Sequence, residues 1–140
     1  QKDHSNLLKA FALITGHTDV NLKIFGIGSL EQVLKKEASD LKIKNRVEFL
    51  GFKSDLDRYY SQARLFVLSS HNEAFGNVII EAMSFGIPIV STKCAGPNYI
   101  LNKPELGELC EIQSPQALAN ALLKVIKSPN SYPRNVIIER

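Results

Sequence analysis

Two carboxylates with seven residues between them, Glu73 and Glu81, stand in the stretch Ser69-Ser70-His71-Asn72-Glu73-Ala74-Phe75-Gly76-Asn77-Val78-Ile79-Ile80-Glu81-Ala82-Met83. Glu73 falls in a polar loop, and Glu81 in a helical segment that is otherwise apolar. Burying an unpaired carboxylate costs several kcal/mol. Glu81 therefore either faces solvent, alone or beside a lysine, or points at a partner. A sugar diol is one such partner, because a carboxylate can accept two hydrogen bonds from it. The helix start at Gly76-Asn77 offers unpaired backbone N–H groups and the positive end of a helix dipole, which suit a diphosphate. Gly76 also lets backbone approach a ligand closely, although a turn glycine would look the same in sequence.

Other chemistry is sparser. Gly26-Ile27-Gly28 lacks the third glycine of a dinucleotide fingerprint, and Val47-Glu48-Phe49-Leu50-Gly51 ends without the acid that would hold an NAD ribose. A tight turn is the first role of these glycines and ligand contact the second. His4, His17 and His71 are too dispersed for a metal site, and only His71 lies near the proposed cleft, where it could touch a sugar. There is no nucleophile elbow, P-loop or Cys-His arrangement. Cys94 and Cys110 form no C-x-x-C pair and read as reduced thiols of a cytoplasmic protein.

The elements that must position these groups alternate between helix and strand. Ser5 caps a first helix, with Leu7, Ala10, Phe11 and Ile14 on one face. Residues 21–25 form a short strand. Ser29 caps a second helix whose apolar stripe is Leu30, Val33, Leu34, Ala38 and Leu41. Residues 47–50 form a strand, 55–63 a helix, and Leu65-Phe66-Val67-Leu68 a continuous apolar run of the kind buried on both faces of a parallel sheet. A helix over 76–85, a strand over 88–91, a helical turn over 97–101 and a strand over 107–112 follow. Ser114-Pro115 then opens a final helix. This alternation predicts an α/β domain, a Rossmann-like parallel sheet with helices on both faces. Ligands in such sheets sit beyond the carboxyl ends of the strands.

The 140 residues suit one domain, and 44% hydrophobic with 22% charged residues is an ordinary globular composition. Net charge is +3. The densest basic group, Lys35, Lys36, Lys42, Lys44 and Arg46, is interrupted by Glu37 and Asp40 and reads as a solvated helix face, not a nucleic-acid site. No apolar run of about 18 residues is present to span a membrane, and no signal peptide is visible. The opening Gln1-Lys2-Asp3-His4 has no strand to feed its helix, and the closing Asn135-Val136-Ile137-Ile138-Glu139-Arg140 is apolar and without an evident partner. Both ends thus suggest a piece of a longer protein.

Taken together, Glu73-Ala74-Phe75-Gly76-Asn77 through Glu81-Ala82-Met83, then Gly86-Ile87-Pro88-Ile89-Val90-Ser91-Thr92, resemble the paired-glutamate signature of glycosyltransferase family 4. These are retaining enzymes of the GT-B fold. Gln1-Lys2-Asp3-His4 with Leu7-Leu8-Lys9-Ala10-Phe11, Leu22-Lys23-Ile24-Phe25-Gly26-Ile27-Gly28 and Arg46-Val47-Glu48-Phe49-Leu50-Gly51-Phe52 are similar to other segments of that family's C-terminal, donor-binding domain. The resemblance implies that residues 1–140 are that domain, with the acceptor site on an N-terminal half outside this sequence. It implies two catalytic residues: Lys2 on the donor diphosphate, beside an arginine that lies upstream in the family, and Glu73 on the sugar hydroxyls. It implies donor contacts around Ala74, Phe75, Gly76, Asn77 and Val78, ribose contact at Glu81, and a nucleobase bordered by Gly51, Phe52 and Lys53, with Gly26 and Gly28 nearby. Ala74 stands where the family often has glycine, and Ala95-Gly96-Pro97-Asn98-Tyr99-Ile100 lacks the family's glutamate; this last segment resembles a subgroup that makes bacterial surface polysaccharides.

The reaction so implied is transfer from a nucleoside diphosphate sugar, UDP being the expected carrier, to a glycan or lipid-linked glycan. The anomeric configuration is retained by same-face attack, with no cofactor, no metal and no nucleic acid. The place is the cytoplasm, at the inner face of the membrane where acceptors are lipid-linked. The isolated domain is expected to bind donor and transfer nothing. Two other readings stand beside it: a non-catalytic nucleotide-sugar-binding domain and a GT-B nucleotide-sugar epimerase.

Overall fold

A computed structural model describes residues 2–26, 28–72 and 76–139. Helix α1 (His4–Ile14) is capped by Asp3, not by Ser5: the Asp3 carboxylate accepts from the Asn6 N–H at 3.3 Å. Asp3 adopts a left-handed backbone there, with φ 49°, a conformation that aspartate tolerates better than most residues. Ser5, one residue inside the helix, instead donates to the Glu37 carboxylate at 2.7 Å and ties α1 to α2 (Glu31–Asp40).

A 3-10 turn, Gly28–Leu30, precedes α2 and contains Ser29, so the expected serine cap does not form. The stripe of α2 is narrower than expected. Leu34 and Ala38 are buried, but Leu30 and Val33 are 58% and 63% exposed. Leu30 is displaced by the 3-10 turn, and Val33 lies a step of about 100° round the helix from Leu34.

Strands β1 (Leu22–Phe25) and β2 (Val47–Gly51) pair in parallel, Leu22 against Val47. A second parallel sheet has the order β3-β4-β5, from Phe66–Leu68, Ile89–Thr92 and Gly107–Cys110. All four residues of β4 are fully buried, so both of its faces are covered, as expected of a central strand in a layered α/β domain. Helix α6 (Pro115–Lys127) packs on β4, β5 and α1. Its Ser114 cap accepts from the Ala117 N–H at 3.2 Å, with Pro115 at the first helical position, as the sequence predicts. Helices α3 (Asp57–Gln62), α4 (Asn77–Met83) and α5 (Ala95–Ile100) are short connections at the strand ends.

Two further sequence expectations are corrected. Residues 134–139 do not lack a partner: they form α7 (Arg134–Glu139), which packs on the turn Pro104–Leu106 and buries Ile137 completely. Arg46 does not belong to a solvated face. Its guanidinium donates to the carbonyls of Thr15 at 2.7 Å, Thr18 at 2.7 Å and Val20 at 2.6 Å, closing the path from α1 into β1. The planar five-donor head of arginine suits such a convergence. No helix is long and apolar enough to cross a membrane among the described residues.

Candidate functional site

The carboxyl ends of β1, β2, β3 and β4 carry most of the residues singled out by sequence. Lys2 is exposed, and its carbonyl accepts from the Ser69 hydroxyl at 2.8 Å across 67 residues. The start of the chain is thereby held at the exit of β3. His71 and Asn72 follow there, both exposed. Glu73, Ala74 and Phe75 lie outside the described residues.

Helix α4 starts after its N-cap residue Gly76, which has a left-handed backbone (φ 68°) and, as a glycine, no side chain to cap the helix. Gly76 is buried, and a Cβ there would stand 3.2 Å from Cδ1 of Ile100, so a side chain is opposed both by conformation and by space. Asn77 and Val78, the first two helical residues, are exposed. Ile79, Ala82 and Met83 form the buried face of α4, and Glu81 points away from it into solvent. Glu81 is therefore exposed, as the first of the two sequence options has it, and is open to a ligand from the solvent side. No lysine or arginine is ion-paired to Glu81 among the described residues. Its neighbour is Tyr60 on α3, a buried phenol whose pKa is pushed up to about 12, first by burial, then by the Glu81 charge and a hydrogen bond to that carboxylate.

A second group of residues gathers beyond β1 and β2. The Gly26 N–H donates to the Gly51 carbonyl at 2.8 Å. Gly26 has the same positive φ as Gly76, 68°, and a Cβ there would meet the Phe52 ring at 3.1 Å. Phe52 lies over this glycine yet is 80% exposed. Lys53 beside it is exposed too, and Gly28 has open space around its α-carbon. Phe25 meets Tyr59 edge-on with ring centroids 5.0 Å apart, and the Arg58 guanidinium lies over Tyr59 at 4.8 Å. Helix α3 therefore joins the two groups, with Tyr59 against the end of β1 and Tyr60 against α4.

Sequence reasoning gives a helix over 55–63, where α3 lies, but assigns none of its residues a role in the site. Asp57-Arg58-Tyr59-Tyr60 carries a signal, two adjacent aromatics on a short helix that must face different ways, but nothing in the spacing names their partners. It also passed over a buried polar cluster between β3 and β4. Ser70, Ser91 and Thr92 are each fully buried and Ser69 nearly so. The Thr92 hydroxyl donates to the Ser70 carbonyl, and the Cys94 thiol donates to the same oxygen at 3.5 Å. His4, at the start of α1, has its imidazole pKa lowered, chiefly by burial and then by the charge of Lys2. Cys110, in β5, has its thiol pushed up to about 11, chiefly by burial. Among the described residues no three His, Cys, Asp or Glu side chains gather as metal ligands do.

Comparison with known proteins fits this architecture. The family model of the glycosyl transferases group 1 matches residues 1–139, and the chain belongs to that family. It is 35% identical over 133 residues to an uncharacterized glycosyltransferase of Haemophilus influenzae, covering 94% of this chain and 38% of that protein. It is 32% identical over 126 residues to the lipopolysaccharide core biosynthesis glycosyltransferase LpsE of Rhizobium meliloti, covering 90% of this chain and 36% of LpsE. Among solved structures, Anabaena HepE in complex with UDP-glucose superposes with a TM-score of 0.87 at 27% identity, over 98% of this chain and 38% of HepE. The chain thus spans well under half the length of the relatives it matches. The expected fold class and the family resemblance are both borne out, the latter as membership of the group 1 glycosyl transferases.

Proposed function

We propose that this chain is the donor-binding domain of a retaining glycosyltransferase that moves a sugar from a nucleoside diphosphate, with UDP as the expected carrier. The acceptor is a glycan or lipid-linked glycan of surface polysaccharide synthesis, held by a further domain at the inner face of the cell membrane. The observation that carries the reading is the bond from Ser69 to the Lys2 carbonyl, which holds a basic residue at the exit of β3, the strand that leads to α4.

In this reading Lys2 and the start of α4, with its N-cap lacking a side-chain bond, stabilise the charge that develops on the leaving diphosphate. Glu73 takes the sugar hydroxyls, with Ala74, Phe75, Gly76, Asn77 and Val78 around the sugar and phosphate oxygens. Glu81, exposed and free of an ion pair among the described residues, is available to accept from both ribose hydroxyls. Phe52 offers its exposed ring to the base, bordered by Gly26, Gly28, Gly51 and Lys53. The UDP-glucose complex of HepE supports a uridine nucleotide as the first ligand to try.

Calorimetric titration of the chain with UDP, GDP and ADP, beside Glu81→Ala, tests the reading. Saturable binding of one nucleotide, weakened about tenfold or more by loss of the charge-assisted hydrogen bonds, is the expected result. A folded chain that binds none of the three sinks it. The chain alone is expected to transfer no sugar, and detectable transfer would overturn the donor-only assignment.

A further inference from the structure

We infer that Thr92 is a positioning residue for the donor site, acting with Cys94 to fix the exit of β3 relative to the start of α4. The inference rests on the donor-site reading above. Regular pairing of β3 with β4 ends at Leu68 and Ser91. Beyond that point nothing in the ladder obliges the two chains to stay together. The side chains of β4 and its continuation take over. Thr92 donates to the Ser70 carbonyl and also lies 3.5 Å from the Leu68 carbonyl, and Cys94 adds its thiol to the Ser70 oxygen. A carbonyl has two lone pairs, and this one has both engaged by side chains of one neighbouring segment. Burial strengthens such bonds, because no water competes for the oxygen.

The same segment reaches the other end of the stretch. Cys94 is the N-cap residue of α5 and Ile100 its last residue. Ile100 Cδ1 and the Gly96 carbonyl carbon stand 3.2 Å and 3.7 Å from where a Gly76 Cβ would be. One short helix, which follows β4 directly, therefore touches the Ser70 carbonyl through its N-cap Cys94 and the surroundings of Gly76 through Gly96 and Ile100. The distance between these two anchors is fixed by residues 92–100, none of which was assigned a role in the site by sequence. A donor held by backbone amides of α4 on one side and by Lys2, bound to Ser69, on the other depends on that distance.

The test is UDP binding to wild-type chain, Thr92→Val and Thr92→Ser, measured by calorimetry at a temperature where circular dichroism shows each to be folded. Valine keeps the shape and removes the hydroxyl; serine keeps the hydroxyl. The expected result is about five- to tenfold weaker binding for Thr92→Val and affinity within about twofold of wild type for Thr92→Ser, the scale of one lost hydrogen bond. A merely structural hydroxyl would lower the unfolding temperature and leave the affinity unchanged, and that result overturns the inference. Equal weakening by both variants assigns the effect to packing and overturns it too. Wild-type chain that binds no nucleotide removes the donor-site reading itself, a failure distinct from either. Should Thr92→Val not fold, Cys94→Ala removes the second bond to the same carbonyl, and unchanged UDP affinity in that variant overturns the inference.

Discussion

The two sheets finish their carboxyl ends in opposite ways. Beyond β1 and β2 the backbone turns on glycines, Phe52 lies almost bare on Gly26, and Lys53 stands in solvent. Beyond β3 and β4 four hydroxyl residues are buried, and side chains from one strand close on the backbone of the other. The first rim can adjust to what it meets. The second is built before any ligand arrives. On the function proposed above, that division suits a ligand with two unlike halves: a flat base tolerates small displacements on a ring, whereas phosphate oxygens facing backbone N–H groups do not.

Gly76 and Gly26 give the sharpest way to break the comparison, since they share a φ of 68° and differ in what a side chain would meet. Alanine at either position incurs the left-handed penalty of about 1–2 kcal/mol. At Gly76 the obstructing atom belongs to Ile100, a buried side chain, so the added methyl must also displace packed core. At Gly26 it meets an exposed ring that can swing aside. Denaturant unfolding should therefore show Gly76→Ala losing roughly 2–3 kcal/mol and Gly26→Ala roughly 1–2 kcal/mol. Equal losses would mean that the two rims are equally stiff. Phe52→Ala comes next. At 80% exposure its removal should change stability by no more than about 0.5 kcal/mol. It should weaken nucleotide binding about tenfold, the scale of one base–aromatic stack, as read by the same calorimetric titration. A loss of stability without loss of affinity would move the base elsewhere.

What the sequence made legible follows the range of each interaction. The apolar runs that became β3 and β4, and the Ser114-Pro115 start of α6, are local patterns and came out nearly in register. The caps of α1 and α2 were displaced because Asp3 and Ser5, or Ser29 and Leu30, stand close enough for tertiary geometry to choose between them. Arg46 could not be read from its surroundings, because its three carbonyl partners are 26 to 31 residues away. Glu81 was legible as a residue in need of explanation, yet its exposure depends on which face of α4 meets the sheet. Thr92 and Cys94 lie just past the strand expected over 88–91, and only the fold reveals the carbonyl they share.

Tyr60 stands where α3 joins the two rims and sharpens the comparison least forcefully, since its effect is confined to alkaline solution. Its phenol is buried against Phe85, with ring centroids 5.2 Å apart, and faces the Glu81 carboxylate. The folded-state pKa is about 12 against 10.0 for the ordinary side chain. A raised pKa favours the protonated form in the native state, so this contribution is complete below pH 10 and is lost as pH rises through about 12. Stability followed by fluorescence-detected urea unfolding between pH 8 and 12 should fall across that window and fall less in Tyr60→Phe, which has no proton to lose. Glu81→Gln should lower the Tyr60 pKa, because it removes the charge that opposes ionisation while leaving burial in place. If the phenol titrates unchanged in Glu81→Gln, burial alone sets it. Glu81 would then be uncoupled from α3, and α3 would join the two rims through its ring contacts alone.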